Sequence, residues 1–278
     1  MNISMRGHDF AEKSIEGVAK KCAQYGIYGV QLVMPKTLPE YKDGSFTPAY
    51  AEWIKDTFYK NNVKIPVLGC YINPSCTNEE DLRTQMNRFK EHLKYARFIG
   101  AHMVGTETGY VGDSCNAEDN HTEQAYKQLL TNLKELVAYA EKMGVMIGIE
   151  GVKIYVINTP QKMRRLLDDL NSPNVLAIFD PINFLGADNY EEQDKIIDDA
   201  FNLYGDEMSV LHLKDFIIDE NGAMKQVLPT EGMLHTERIL KYIKQRKPNM
   251  PIVLEGTGEK NLPKVMANIQ RLYDSIEA

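Results

Sequence analysis

Four side chains are placed to do chemistry together. Glu150 closes the stretch VMIGIE, Asp180 closes VLAIFD, His212 lies within SVLHLKD, and Glu255 ends PIVLE. Each sits in or at the end of an apolar run that reads as a buried strand, a place that isolated carboxylates avoid because losing water destabilises the charge or shifts the pKa until it is gone. If the four strand ends share one mouth, three carboxylates and an imidazole crowd together. Such carboxylates repel one another and lose their charges unless a cation sits among them. One divalent metal ion resolves the conflict. Oxygen ligands with a single imidazole suit Mn2+, Mg2+, Co2+ or Zn2+, and the absence of thiolates argues against a structural zinc site. Any one of these acids alone could equally cap a helix or pair with a lysine. Four on successive strands point to a metal.

The elements that must position them alternate from one end of the chain to the other. Strand-like runs occur at 3–7, 28–34, 64–71, 101–107, 145–150, 175–180, 209–215 and 251–255, and amphipathic stretches lie between them. Thr77 and Glu80 can form a capping box ahead of Leu82, Met86, Phe89, Leu93 and Ala96, which share one helical face. Gly100 ends that helix, Gly26 and Gly144 end two others, and Thr159-Pro160 supplies a cap and a first-turn proline to the next. A last helix runs over 262–278. Eight β-then-α units over 278 residues predict an α/β fold, a (β/α)8 TIM barrel, as a single domain spanning 1–278. A doubly wound open sheet is the competitor, but it more often uses five or six strands, and no GxGxxG follows the first run.

Composition narrows the partners. The chain is 43% hydrophobic with a formal net charge of -7, and its basic residues are scattered, which argues against a nucleic-acid partner. The four cysteines form no CxxC pair, no basic-then-apolar leader opens the chain, and no apolar run approaches the roughly 20 residues needed to cross a bilayer. A cytoplasmic protein with no membrane partner is expected, and exposed barrel helices are compatible with a homo-oligomer.

IGIEGV, IFDPIN, LHLKDF and VLEGTG resemble the four metal-site strands of the xylose-isomerase-like TIM-barrel superfamily, specifically its sugar phosphate isomerase/epimerase-type members, and the likeness extends over essentially the whole chain, GTETG included. The resemblance implies that Glu150, Asp180, His212 and Glu255 bind one divalent cation, and that Glu150 and Glu255 double as the acid/base pair of a 1,2-proton transfer. Elementary chemistry agrees: a Lewis acid polarises the carbonyl, and carboxylates on either side of the sugar carbon remove and return the proton. Two departures stand out. Ketose 3-epimerases of the superfamily carry a histidine three residues after the strand-six aspartate and an arginine six residues after the strand-seven histidine, where this chain has Asn183 and Ile218. Endonuclease IV, another member, uses several histidines and three zinc ions. Here only His8 and His212 are well placed, since His92, His121 and His235 fall in or beside helices and His102 begins its strand.

Further candidates carry bland alternatives. Lys214 faces the same side as His212 and could hold a substrate oxygen or a neighbouring acid. Asn183 and Glu107 lie on mouth-facing loops within reach of substrate. His8, followed by Asp9, comes just after the first strand, where a surface turn would explain it as well. The segment 216–232 contains DENG, a hairpin signal, and is long enough for a pocket wall. EGTGEK lies where barrels often bind phosphate, with too few glycines and lysines to specify it. Trp53, with Tyr50 and Phe58, reads as helix-face packing. The functional expectation is a metal-dependent sugar or sugar-phosphate isomerase or epimerase working through an enediolate on a small-molecule sugar or polyol. The alternatives are a metal-dependent dehydratase of a keto-inositol or related cyclic polyol, a non-catalytic metabolite-binding barrel, and an endonuclease IV-type AP endonuclease.

Overall fold

The computed structural model describes residues 1–112 and 115–277. Eight parallel strands close into a barrel: β1 (Asn2–Arg6), β2 (Gly29–Leu32), β3 (Lys64–Gly69), β4 (Ala101–Glu107), β5 (Met146–Glu150), β6 (Val175–Phe179), β7 (Met208–Leu213) and, after the antiparallel hairpin β8 (Asp215–Ile218) and β9 (Met224–Val227), β10 (Pro251–Leu254). β1 pairs with both β2 and β10, which closes the ring. The expected (β/α)8 TIM barrel is thus formed, and each of the eight strand-like runs supplies one barrel strand.

Outer helices return the chain between strands, and their caps follow from local sequence. Ser14, Thr47, Thr122 and Thr159 each accept a backbone N–H in the first turn of the helix that follows. Pro160 opens Pro160–Leu170 as expected, and Gly100 and Gly144 take left-handed conformations at helix ends. Gly26 also has positive φ, one residue past the cap of Ile15–Gln24. The cap at the start of Glu79–Ile99 differs from expectation. Asn78, not Thr77, accepts from the N–H groups of both Glu80 and Asp81, since the helix begins one residue later and its carboxamide oxygen reaches two orphan donors at once. Trp53 also departs from a packing role: it is 40% exposed, stacked on Tyr50, whereas Phe58 is buried. The final helix is Gly258–Ser275, so it starts four residues before the expected 262 and ends at Ser275, with Ile276 and Glu277 outside it; Ala278 lies outside the described residues.

Strand alternation divides the core. Ile147, Ile149, Leu211 and Leu254 face outward onto the helices, while Val67, Met103, Ile178, Val210 and Val253 form a separate cluster inside the barrel. Gly148 shares that interior: a Cβ there would come within 2.5 Å of Met103 Sδ and 2.9 Å of Ile178 Cδ1. Two places beyond Gly148, Ile178, Val210 and Val253, the residues Glu150, Asp180, His212 and Glu255 rise above this apolar plug, and Glu107, four places beyond Met103, lies beside Glu150 in the register of β4 and β5.

The hairpin after β7 fulfils the turn signal in DENG. Asp219 Oδ1 accepts from Asn221 and Ala223 N–H, and Gly222 takes φ 77°. Its base is tied down by buried Asp215, which accepts from Phe216 and Leu234 N–H at 2.8 Å and from Gly232 N–H at 2.9 Å. Asp215→Ala would orphan three backbone donors. It is expected to cost about 3 kcal/mol, read as a lower midpoint in thermal or urea unfolding.

Candidate metal centre and substrate pocket

The C-terminal ends of the strands deliver every candidate to one place. Arg6, His8, Gln31, Lys36, Tyr71, Glu107, Glu150, Asn183, Lys214 and Glu255 line a cavity of about 180 Å³ at the barrel mouth. Asp180 and His212 are fully buried against it. One ligand atom from each of Glu150, Asp180 and His212 falls within 4.8 Å of the others, a spacing suited to one ion. Glu255 stands beside this trio, with Oε1 3.4 Å from His212 Nδ1, while Glu150 Oε1 approaches the same nitrogen to 3.2 Å.

Asp180 is divided between two tasks. Its Oδ1 accepts from Ile182 N–H at 3.0 Å and Asn183 N–H at 3.2 Å, fixing the loop that carries Asn183. Its Oδ2 lies 2.7 Å from Lys214 Nζ, a charge contact without hydrogen-bond alignment, so this buried oxygen lacks an aligned donor among the described residues. Lys214 also donates to Asn183 Oδ1 at 2.7 Å and lies 3.7 Å from Glu255 Oε2. Asn183 in turn donates to Glu150 Oε1 at 2.7 Å. Arg6 holds Asp9 through two hydrogen bonds and reaches Glu255 Oε2 at 3.2 Å.

The charges support a dication. Among the described residues, the five acids Asp9, Glu107, Glu150, Asp180 and Glu255 stand against three bases, Arg6, Lys36 and Lys214, an excess of two acids. Without metal, protons fill part of the deficit. Burial opposes a charged His212, yet Glu150 and Glu255 outweigh it and raise its pKa to about 9. Burial lifts Asp180 to about 6 despite Lys214, and burial together with Glu150 lifts Glu107 to about 7. Glu255 goes the other way: burial disfavours its charge, but His212, Lys214 and Arg6 hold it below the usual carboxylate range. Burial and Arg6 lower His8 to about 4, so that side chain is neutral at physiological pH.

A cluster in which Glu150, Asp180 and His212 converge, an excess of acids over bases and a mixed oxygen and imidazole donor set all fit a hard or borderline divalent cation. Such an ion must displace the His212 proton, so apparent affinity is expected to fall about tenfold per pH unit below pH 9, and more steeply below pH 6, where Asp180 is also protonated. Metal titrations by calorimetry between pH 6 and 9 check the slope; a flat profile contradicts it.

All eight candidate residues therefore meet at the mouth, whereas His102 is exposed at the far end of β4. Arg6, Gln31, Lys36 and Tyr71 line the same cavity and were not singled out by the sequence. The signal for Gln31 was present: it is a lone polar residue inside the apolar run YGVQLVM, 1% exposed in the fold, just as Glu255 ends PIVLE.

The model of the xylose isomerase-like TIM barrel family matches residues 19–275. The chain belongs to this family. Among solved structures, the IOLI protein with a bound zinc atom superposes with a TM-score of 0.77 at 16% identity over 100% of both chains. A D-tagatose 3-epimerase-like protein gives 0.78 at 16% identity, over 99% of this chain and 97% of that one. The 3-keto-D-glucoside 4-epimerase YcjR from E. coli gives 0.74 at 16% identity, over 98% and 99%. At such identities these likenesses establish the shared barrel only. No curated protein matched the chain by sequence. Among the described residues, no helix is long and apolar enough to cross a membrane.

Proposed function

We propose that this family member is a divalent-metal-dependent isomerase or epimerase of a small sugar or sugar phosphate, working by 1,2-proton transfer through an enediolate. The observation that carries the proposal is the placement of Glu150 and Glu255 at the same His212 nitrogen, both opening into a cavity of about 180 Å³ that also holds a lysine and an asparagine. Glu150, Asp180 and His212 would hold the ion, with Glu255 as the fourth ligand. When bound, the ion would supply Lewis-acid polarisation of a carbonyl and its adjacent hydroxyl. Glu255, ionised at neutral pH, is suited to remove a proton from the carbon next to that carbonyl. Glu255 could hand that proton back to the neighbouring carbon, or Glu150, first protonated from solvent, could deliver a different one while Glu255 releases its own to solvent. Lys214 and Asn183 are positioned to donate to substrate oxygens, and His8, neutral, borders the same cavity. The known proteins that share the barrel include D-psicose 3-epimerase and the YcjR epimerase, which is consistent with this chemistry.

A second reading, a dehydratase acting on a keto-polyol, draws on Glu107. With its pKa raised to about 7 this carboxyl is about half protonated at neutral pH, and its protonated form could give a proton to a leaving hydroxyl beside the enediolate. A probable 3-DHS dehydratase shares the barrel with a TM-score of 0.74. Incubating manganese-loaded protein with a panel of ketoses, aldoses and keto-inositols in deuterated water separates the two. Deuterium at the carbon next to the carbonyl with mass otherwise conserved supports isomerisation; loss of water with a new conjugated chromophore supports dehydration. Neither, across the panel, would leave a metabolite-binding barrel.

A further inference from the structure

The two nitrogens of His212 face different surroundings. Nδ1 looks toward Glu150 and Glu255, at 3.2 and 3.4 Å, and Nε2 lies 2.6 Å from Gln31 Oε1. Gln31 sits on the inner face of β2, across the barrel from β7, and its Nε2 donates to the Tyr71 hydroxyl at 2.7 Å. An imidazole that binds a cation through one nitrogen carries its proton on the other, and that N–H needs an acceptor. Gln31 Oε1 is in place to be one. With its oxygen committed to His212, the other end of the same amide must donate, and Tyr71 oxygen receives it. The His212–Gln31 contact is buried, with the two residues 0% and 1% exposed, whereas Tyr71 borders the cavity.

We propose that Gln31, held by Tyr71, is a positioning residue that acts through His212: it fixes the ring so that Nδ1, not Nε2, is the nitrogen offered to the cation. This rests on the metal-centre reading above. If Gln31 were only a buried polar residue with its bonds satisfied, its replacement would lower stability without changing how the ring meets the ion.

The test uses zinc alone, which is diamagnetic and needs no substrate. Zinc affinity is measured by calorimetry at one pH for the full-length parent, Gln31→Leu, Gln31→Glu and Tyr71→Phe, with thermal midpoints recorded for each. Histidine 15N NMR on the zinc-loaded parent reads which His212 nitrogen carries the proton. The expected results are an Nε2–H on His212, an affinity about 10–100-fold lower in Gln31→Leu, a smaller loss in Tyr71→Phe, and recovery to the parental range or tighter in Gln31→Glu, whose carboxylate is a stronger acceptor. Unchanged affinity in Gln31→Leu, or an Nδ1–H in the zinc-loaded parent, would overturn the proposal while leaving the metal centre standing. A parent that binds no zinc would overturn both. Should Gln31→Leu fail to fold, the parental NMR spectrum and the Gln31→Glu affinity still decide.

Discussion

Glu255→Gln is expected to slow exchange of the substrate C–H hydrogen with deuterated water by about 10²–10⁴-fold, the usual contribution of a positioned general base. One metal per chain should remain, because Glu150, Asp180 and His212 make the compact trio and a carboxamide oxygen still stands at the Glu255 position. The carboxylate owes its ionised state to neighbours. Burial disfavours the charge, and His212, Lys214 and Arg6 outweigh it. The carboxamide keeps the shape and discards the proton acceptor. Exchange at the parental rate in Glu255→Gln would remove this side chain from proton transfer and move the base elsewhere in the cavity.

Asp180→Asn should have the larger effect on the ion itself. One oxygen of Asp180 is already occupied by the backbone of Ile182 and Asn183, which a carboxamide oxygen can still accept, so the loop should survive. The other oxygen faces the cation site and Lys214, and an NH2 there meets an ammonium head-on. Metal affinity is expected to fall by at least about 10³-fold. Because Lys214 loses its nearest buried counter-charge, the metal-free variant should also lose about 3–5 kcal/mol of stability. Calorimetric metal titration and urea unfolding measure the two effects separately. A variant that binds metal as the parent does would exclude Asp180 from the ligand set.

Much of this was legible in the sequence because strands of a closed barrel are buried on both faces and read as apolar runs, whose polar interruptions stand out. Glu150, Asp180, His212 and Glu255 were visible for that reason, and period-two alternation carried Lys214 to the same wall as His212. Gln31 obeys the same rule but lies on a strand with no acid, so nothing drew it into a ligand set. Arg6 and Tyr71 were hidden differently: an arginine at the end of ISMRG and a tyrosine two residues past β3 are ordinary at a strand's rim, and only barrel closure brings Arg6 to Glu255, while the pairing of β2 with β3 brings Tyr71 to Gln31. The cap at Asn78 was missed because Thr77 and Asn78 are both good caps, and a one-residue choice depends on where the preceding chain leaves the barrel. Trp53 had the correct helix but the wrong face, since a single aromatic beside Tyr50 does not reveal which side of the helix meets the barrel.

The central claim is that the four strand ends form one metal centre. It is tested most directly by plasma mass spectrometry of the purified protein after incubation with manganese and removal of the excess, beside His212→Ala. The account predicts about one metal ion per chain in the parent and none in the variant. No bound metal in the parent, or an equal content in His212→Ala, would contradict it, and about three per chain would indicate a multinuclear site of the nuclease kind.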